Sequence, residues 1–100
     1  GGIMVRRELA EKIFRKEAMG CAFVEGGYLC FEEDCDAQVA LRELMDKKMI
    51  QAPVNEYFGP GAYEAVINSS VQIHHPEYWQ AREKAISEQK RQAKKKGRER

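Results

Sequence analysis

The sequence predicts a small α+β domain followed by a basic helical tail, and three observations support that fold class. Two long stretches carry apolar residues three and four positions apart, which is typical of amphipathic helices. Between them, two short runs of β-branched and aromatic residues flank Glu25-Gly26-Gly27, a pattern that favours a β-hairpin. A chain of 100 residues can bury one modest core, so these elements belong to a single domain.

The first helix is predicted over residues 4–19, and we expect the domain itself to start at Met4. Gly20 follows at the position where a helix C-terminus often needs a residue with positive φ. The apolar positions that recur at helical spacing are Val5, Leu9, Ala10, Ile13, Phe14 and Ala18.

The hairpin strands are predicted over residues 21–24 and 28–31. Glycine at the turn supplies the positive φ that tight hairpins require. Both strand faces carry apolar residues, and a two-stranded ribbon is only marginally stable alone. We therefore expect helices to cover one face fully and the other in part.

A second strong helix is predicted over residues 36–49. The acidic run before it suits a helix N-terminus, and Asp34 or Asp36 can serve as the N-cap. Pro53 disfavours helix at Ala52 and marks the break. The predicted inward stripe comprises Ala37, Ala40, Leu41, Leu44 and Met45, with Lys48 at its rim.

The middle of the chain is the least determined. Residues 51–61 are predicted to be a connector that contains a short third strand at 54–58 and a turn at Gly59-Pro60-Gly61. Residues 62–68 favour a short helix, with 71–73 extended. A hairpin of 62–67 with 71–75 is the alternative, because periodicity does not separate helix from strand in runs this short.

The last helix is predicted to begin at Pro76, where the missing N–H costs nothing. Large apolar residues stop at Ile86, so we expect the remainder to be frayed or disordered in solution. The domain is accordingly divided into a compact body, 4–81, and a basic tail, 82–100. The predicted core comprises Val5, Leu9, Ile13, Phe14, Phe23, Leu29, Phe31, Leu41, Leu44 and Met45, with Val66 and Trp79 closing one end.

Charge is divided unequally along the chain. Residues 82–100 hold nine basic and three acidic residues, a net charge of +6, whereas residues 1–81 hold eight basic and thirteen acidic residues, a net charge of −5. This asymmetry indicates a polyanionic partner, or a tail that folds back on its own body. A tail that only confers solubility is the plain alternative.

Nucleic acid is the polyanion we consider first, because basic runs bind phosphate backbones by counterion release. No aromatic residue follows Trp79 to stack on bases, so sequence-specific readout is not predicted. The tail has no stripe of Leu or Phe residues, so binding to a membrane surface is not predicted. On a helix, Lys84, Arg91 and Lys95 would lie along one face. The predicted polyanion-binding residues are Lys84, Lys90, Arg91, Lys94, Lys95, Lys96 and Arg98.

Three cysteines are an odd number, and the N-terminus lacks the uninterrupted apolar run of a secretory signal. We therefore expect a cytoplasmic protein with reduced thiols. A zinc-stabilised domain using Cys21, Cys30, Cys35 and His74 or His75 is the alternative hypothesis. Its spacings differ from the paired-cysteine knuckle of zinc sites, so no metal or cofactor is predicted.

Catalytic patterns are weak. Cys35 lies near a predicted helix start, which can lower a thiol pKa, but the surrounding carboxylates oppose a thiolate. The run Glu32-Glu33-Asp34 lacks the ligand spacing of a calcium loop. Of His74 and His75, we expect one to face solvent and the other to pack at the helix start.

The sequence thus favours a non-enzymatic binding protein over an enzyme. The acidic body would dock a protein partner, and the basic tail would contact nucleic acid or another polyanion. The late aromatic residues belong either to the core or to the partner surface. The predicted partner-binding residues are Tyr57, Tyr63, Tyr78 and Trp79. The oligomeric state does not follow from the sequence.

Overall fold

The computed structural model describes residues 2–34 and 36–98. Within these ranges the chain forms one three-stranded antiparallel sheet and five helices, so the α+β fold class is confirmed. In chain order the elements are β1 (Gly2–Arg6), α1 (Arg7–Ile13), α2 (Lys16–Met19), β2 (Phe23–Glu25), β3 (Tyr28–Glu32), α3 (Ala37–Asp46), α4 (Ala62–His74) and α5 (Pro76–Arg98).

The predicted hairpin is confirmed, with β2 paired to β3 across a turn in which Gly26 has a φ of 61°. The sheet order is β1-β3-β2, so β3 is central. The third strand is not residues 54–58, as predicted, but β1 at the N-terminus. At 54–58 the Asn55 side chain accepts hydrogen bonds from the backbone N–H groups of Tyr57 and Phe58, and this local turn replaces a strand.

The single helix predicted over residues 4–19 is wrong in two places. Its first residues form β1, where Ile3 and Val5 face the core with the period of a strand. Phe14 is extended, with a ψ of 144°, and separates α1 from α2. The next backbone N–H, that of Arg15, donates to Glu43 Oε1 at 2.6 Å instead of to the helix. Gly20 has a φ of −65°, so the positive φ predicted there is also wrong.

The second strong helix is confirmed as α3, although it ends at Asp46 and not at Met49. Asp36 occupies the N-cap position without a side-chain capping bond. Its Oδ1 lies instead 2.8 Å from Nε2 of His75. Lys48, predicted at the rim of the inward stripe, follows the helix with a φ of 59° and is exposed.

Residues 62–74 form one helix of 13 residues, so both the early end at residue 68 and the alternative hairpin are wrong. Ile67 and Val71 lie one turn apart and are buried. Asn68, a weak helix former, is held in place because its Oδ1 accepts from Arg42 Nη1 at 2.7 Å. The tertiary contact therefore overrides the local preference for a turn.

The core lies between the inner face of the sheet and the helices. Of the predicted members, Val5, Phe14, Leu29, Phe31 and Met45 are buried, and Ile13, Leu41, Leu44 and Trp79 are half-buried. Leu9, Phe23 and Val66 are exposed, which corrects the prediction. Ala10 and Ala18 are fully buried, because small side chains let α1 and α2 approach the body closely.

Candidate polyanion-binding site

Helix α5 has two parts with different surroundings. Residues 76–86, the anchor segment, begin with Pro76 at the first helical position and include the buried residues Tyr78 and Arg82. Residues 87–98, the projecting segment, follow without interruption, and every residue from 87 to 95 is exposed. A rise of about 1.5 Å per residue makes the projecting segment roughly 18 Å long. It was predicted to be frayed or disordered, whereas the structure shows helix to Arg98.

The shape of the molecule agrees with a projecting helix. The Cα radius of gyration is 15.0 Å, and the principal axes measure 49 × 37 × 23 Å. A compact domain of this length has a radius of gyration of about 13 Å. The excess follows from a helix that extends beyond the body.

The anchor segment is fixed by two polar side chains. Tyr78 is only 3% exposed, and its hydroxyl donates to Oε2 of Glu43 at 2.7 Å. Arg82 donates twice to Asp46, from Nε to Oδ2 at 2.7 Å and from Nη2 to Oδ1 at 2.9 Å. The Arg82 guanidinium also lies over the Trp79 ring, 4.7 Å from its centroid. Planar, bidentate contacts of this kind restrict orientation as well as position.

Glu43 and Asp46 connect the anchor to the rest of the body. Glu43 is 1% exposed and accepts from both the backbone and the guanidinium of Arg15, in addition to Tyr78. Asp46 Oδ2 accepts from Arg15 Nη1 at 2.9 Å. The two carboxylates of α3 therefore hold the α1–α2 junction and α5 together.

Helix α4 joins the same network through Arg42. This guanidinium lies 2.9 Å from Glu64 Oε1, 2.7 Å from Asn68 Oδ1 and 3.1 Å from Asp46 Oδ1. Arg42 is buried, as is Glu43 beside it, so α3 is enclosed on several sides. Charged groups in such a position require partners from neighbouring elements.

The network sets the charge states of its members. Burial alone would raise the pKa of Asp46, but hydrogen bonds from Arg82 and Arg15 outweigh it and hold that pKa below its usual value. The bond to Asp46 raises the pKa of Arg82, although burial opposes it. Burial, together with the negative charge of Glu43, raises the pKa of the Tyr78 hydroxyl. Arg82 and Asp46 are therefore charged, and Tyr78 neutral, at neutral pH.

Five basic residues of α5 lie within one sector of the helix, which we call the basic arc: Lys84, Lys90, Arg91, Lys94 and Lys95. At about 100° per residue they span roughly 140° of the circumference. The predicted alignment of Lys84, Arg91 and Lys95 along one face is part of this arc. The side chains of the other two predicted residues, Lys96 and Arg98, lie outside the described residues.

The basic arc points away from the body. The middle of the arc lies about 180° around the helix axis from the side that carries Tyr78, Arg82, Ala85 and Ile86. Arg91 pairs with Glu88 on the same helix. Among the described residues, Lys84, Lys90, Lys94 and Lys95 have no ion-pair partner. Arg82, at the start of the tail, thus bonds to Asp46 of the body, whereas residues 87–95 are exposed and their lysines are open to solvent.

The four aromatic residues predicted to bind a partner lie in different surroundings. Tyr57 is 82% exposed on the Asn55 turn. Tyr63 is half-buried with its ring perpendicular to that of Phe58, and Trp79 is half-buried beneath Arg82. Tyr78 belongs to the core, which removes it from any surface.

The cysteines are divided between two surfaces. Cys21 is half-buried, donates from Sγ to the Glu17 carbonyl oxygen at 3.4 Å, and lines an open cleft of about 590 Å³ together with His74 and His75. Cys30 lies on β3 and lines a separate groove. Cys35 lies outside the described residues. Within the described ranges, no three His, Cys, Asp or Glu side chains are grouped to hold a metal ion.

The histidines behave as predicted. His74 is exposed, and His75 packs at the start of α5 beside Asp36. Their cleft is also lined by Glu17 and Glu77, and it is open to solvent. We assign it no chemistry.

The network of Arg15, Glu43 and Asp46 was not predicted from the sequence. Glu43 and Asp46 lie on the polar side of the stripe predicted for α3, and Arg15 lies between the apolar positions of the first predicted helix. All three therefore look like ordinary solvent-facing charges. Their partners lie 28 to 36 positions away in the chain, which local spacing does not reveal. Only the three-dimensional arrangement brings them together.

Comparisons with protein-family models, with curated proteins and with solved structures give no match. Among residues 2–34 and 36–98, no helix combines the length and the apolar character needed to cross a membrane.

Proposed function

We propose that this chain is a non-enzymatic binding protein that presents the basic arc of α5 to nucleic acid or another polyanion. The observation that carries the proposal is the outward direction of the arc on a helix that a buried network fixes to the body. A tail needed only for solubility requires neither a fixed orientation nor a concentration of charge on one side. The body, in this view, is the support that orients the helix.

The chemistry of the arc suits a phosphate backbone. Lysine and arginine side chains release condensed counterions when they contact phosphates, and the affinity then falls steeply with salt. An α-helix is about 10–12 Å across, close to the width of about 12 Å of the major groove of duplex DNA. Residues 87–95 contain no aromatic side chain for base stacking, so we propose contact with the backbone and not sequence readout.

A cytoplasmic setting is part of the proposal, because three cysteines cannot all pair within one chain and Cys30 is a free thiol. Docking of a protein partner stays a prediction. It now depends chiefly on Tyr57, the most exposed of the four aromatic residues. The test is to place a photoreactive amino acid at position 57. If no protein cross-link forms in cells, the predicted docking of a protein partner is wrong.

The first prediction tests the basic arc by neutralising four of its residues together: Lys90→Gln, Arg91→Gln, Lys94→Gln and Lys95→Gln. Binding to a short DNA duplex is measured by fluorescence anisotropy over a range of salt concentrations. We expect weaker binding at low salt. A plot of log affinity against log salt should have a slope that is shallower by about 0.9 for each phosphate that the variant no longer neutralises.

The matched control makes the same charge change on the body through Lys12→Gln, Lys16→Gln, Lys47→Gln and Lys48→Gln, all at exposed positions. Net charge is then equal in the two variants, and only its location differs. We expect the control to bind as the unmodified protein does. An equal decrease in affinity in both variants would show a general charge effect and remove the proposal, as would the absence of duplex, single-strand and RNA binding at low salt.

A further inference from the structure

One face of the sheet has no helix over it. Along β1 and β3 the side chains alternate, so Val5, Leu29 and Phe31 are buried on the inner face. On the opposite side, Met4 is 61% exposed, Phe23 48% and Tyr28 37%. We call this side the outer sheet face; its described members are Met4, Arg6, Phe23, Glu25, Tyr28, Cys30 and Glu32.

The strand register arranges these residues in rows across the sheet. One row runs Met4–Cys30–Phe23, with the sulfur of Cys30 between two large apolar side chains. A groove of about 340 Å³ lies along this row, with Met4, Phe23 and Cys30 in its lining. Cys30 is buried, so the groove has a small floor and exposed apolar walls.

The next row runs Arg6–Tyr28–Glu25. Its two ends are exposed and carry opposite charges on opposite edges of the sheet. Neither charge forms an ion pair with another described residue. An apolar strip with a cation at one edge and an anion at the other is complementary to its own image after a half-turn.

We propose that the outer sheet face binds a second copy of this chain, related by a two-fold axis parallel to β3. That rotation places β1 of one copy over β2 of the other while each row stays at its own level. Met4 then packs against Phe23 of the second copy, a favourable sulfur–aromatic contact. Arg6 faces Glu25 of the second copy, and symmetry repeats both contacts.

A second copy fits this face because one two-fold rotation matches the Met4–Cys30–Phe23 row and the Arg6–Tyr28–Glu25 row together. Glu32, at the exposed end of the central strand, lies on the axis and faces its own copy. The two sheets would pack about 10 Å apart, the ordinary spacing of stacked sheets. The inference does not depend on polyanion binding. If both hold, the assembly carries two basic arcs, which strengthens binding to one long polyanion by linkage.

The second prediction tests the dimer with two single charge reversals, Arg6→Glu and Glu25→Arg. Each variant alone places like charges opposite each other twice in a homodimer. We expect the dimer dissociation constant of each to rise by about tenfold or more, as measured by sedimentation equilibrium. An equimolar mixture of the two variants should associate again, because Glu at position 6 of one copy then faces Arg at position 25 of the other.

The control variants, Lys47→Glu and Glu56→Arg, make the same charge changes at exposed positions away from the sheet. We expect both to associate as the unmodified protein does, and circular dichroism verifies that every variant is folded. A protein that stays monomeric up to millimolar concentration overturns the inference. So does a dimer that neither reversal weakens, or a mixture that associates no better than the separate variants. None of these outcomes depends on nucleic-acid binding.

Discussion

At the scale of single residues, Glu43 is the described carboxylate that depends most on hydrogen-bond donors from other elements. A carboxylate that is 1% exposed has lost its hydration and must be compensated by donors. Arg15 supplies a backbone N–H and a guanidinium, and Tyr78 supplies a hydroxyl. Removing one donor leaves part of a buried charge unsatisfied, which costs more than an average hydrogen bond contributes.

The third prediction follows for Tyr78→Phe. This change removes the hydroxyl that donates to Glu43 and keeps the ring in the core. We expect the free energy of unfolding to fall by about 1–3 kcal/mol, measured by urea denaturation. Tyr57→Phe is the control, since Tyr57 is 82% exposed, and it should change stability by less than about 0.5 kcal/mol. Equal effects of the two changes would contradict this account of the network.

At the scale of elements, the sequence was most informative where one pattern dominated. The hairpin, α3 and the start of α5 were predicted because glycine, the acidic run before α3 and Pro76 each mark a boundary. The N-terminus misled because Val5 and Leu9 are spaced for a helix while Ile3 and Val5 are spaced for a strand. Pairing of β1 with β3 selects the strand, and the paired residues lie 22 to 30 positions apart in sequence.

The turn before α4 gives the fourth prediction, which compares two glycines in one turn. Gly61 has a φ of 81°, and a Cβ there would meet nothing within 4 Å. A side chain at this position would therefore be disfavoured by the left-handed backbone conformation and not by a clash. A Cβ at Gly59 would also meet nothing within 4 Å, but Gly59 does not have a φ in the left-handed region. Gly61→Ala should therefore lower the unfolding free energy by about 1–2 kcal/mol, measured by thermal or urea denaturation.

Gly59→Ala is the matched control, and it should leave stability unchanged or raise it by a few tenths of a kcal/mol, because alanine restricts the unfolded chain. The left-handed conformation is required at the second glycine alone. If the two alanine variants prove equally stable, the backbone at residue 61 adopts another conformation in solution.

At the scale of the whole molecule, Asp46 connects three regions of the chain. It accepts hydrogen bonds from Arg15, at the α1–α2 junction, and from Arg82 in α5. Its pKa is held below the usual value, so the folded state binds fewer protons than the unfolded state as the pH approaches the ordinary aspartate range. The stabilisation is therefore complete above about pH 5 and is lost as the pH falls through the folded-state pKa.

The fifth prediction uses Asp46→Asn to test this linkage. At pH 7 the variant should be less stable by about 2 kcal/mol or more, because Arg15, Arg42 and Arg82 lose their shared carboxylate charge. The difference should shrink below about pH 4, because the unfolded chain of the unmodified protein then binds a proton at Asp46 that the folded state still excludes. Urea denaturation at pH 7, 5 and 3 measures it, with Glu56→Gln, an exposed carboxylate, as the control. A difference that stays constant with pH would rule out the proposed role of the Asp46 charge.

The candidate site was only partly predictable. The basic residues of the tail were found from composition, because charge runs are a local property of the sequence. The outward direction of the arc depends on which side of α5 is buried. Glu43 and Asp46 determine that side, and they lie on α3, far from α5 in the sequence. The outer sheet face was not predicted, because Phe23 was assigned to the core and β1 to a helix.

The unbroken path of α5 from Pro76 to Arg98 has a consequence for chain length. Each residue inserted or deleted between Ile86 and Lys90 would turn everything beyond it by about 100° relative to the body, with composition and net charge almost unaltered. Residues added past Arg98 would produce no such rotation. The number of residues between the anchor segment and the basic arc therefore determines the direction in which the arc faces.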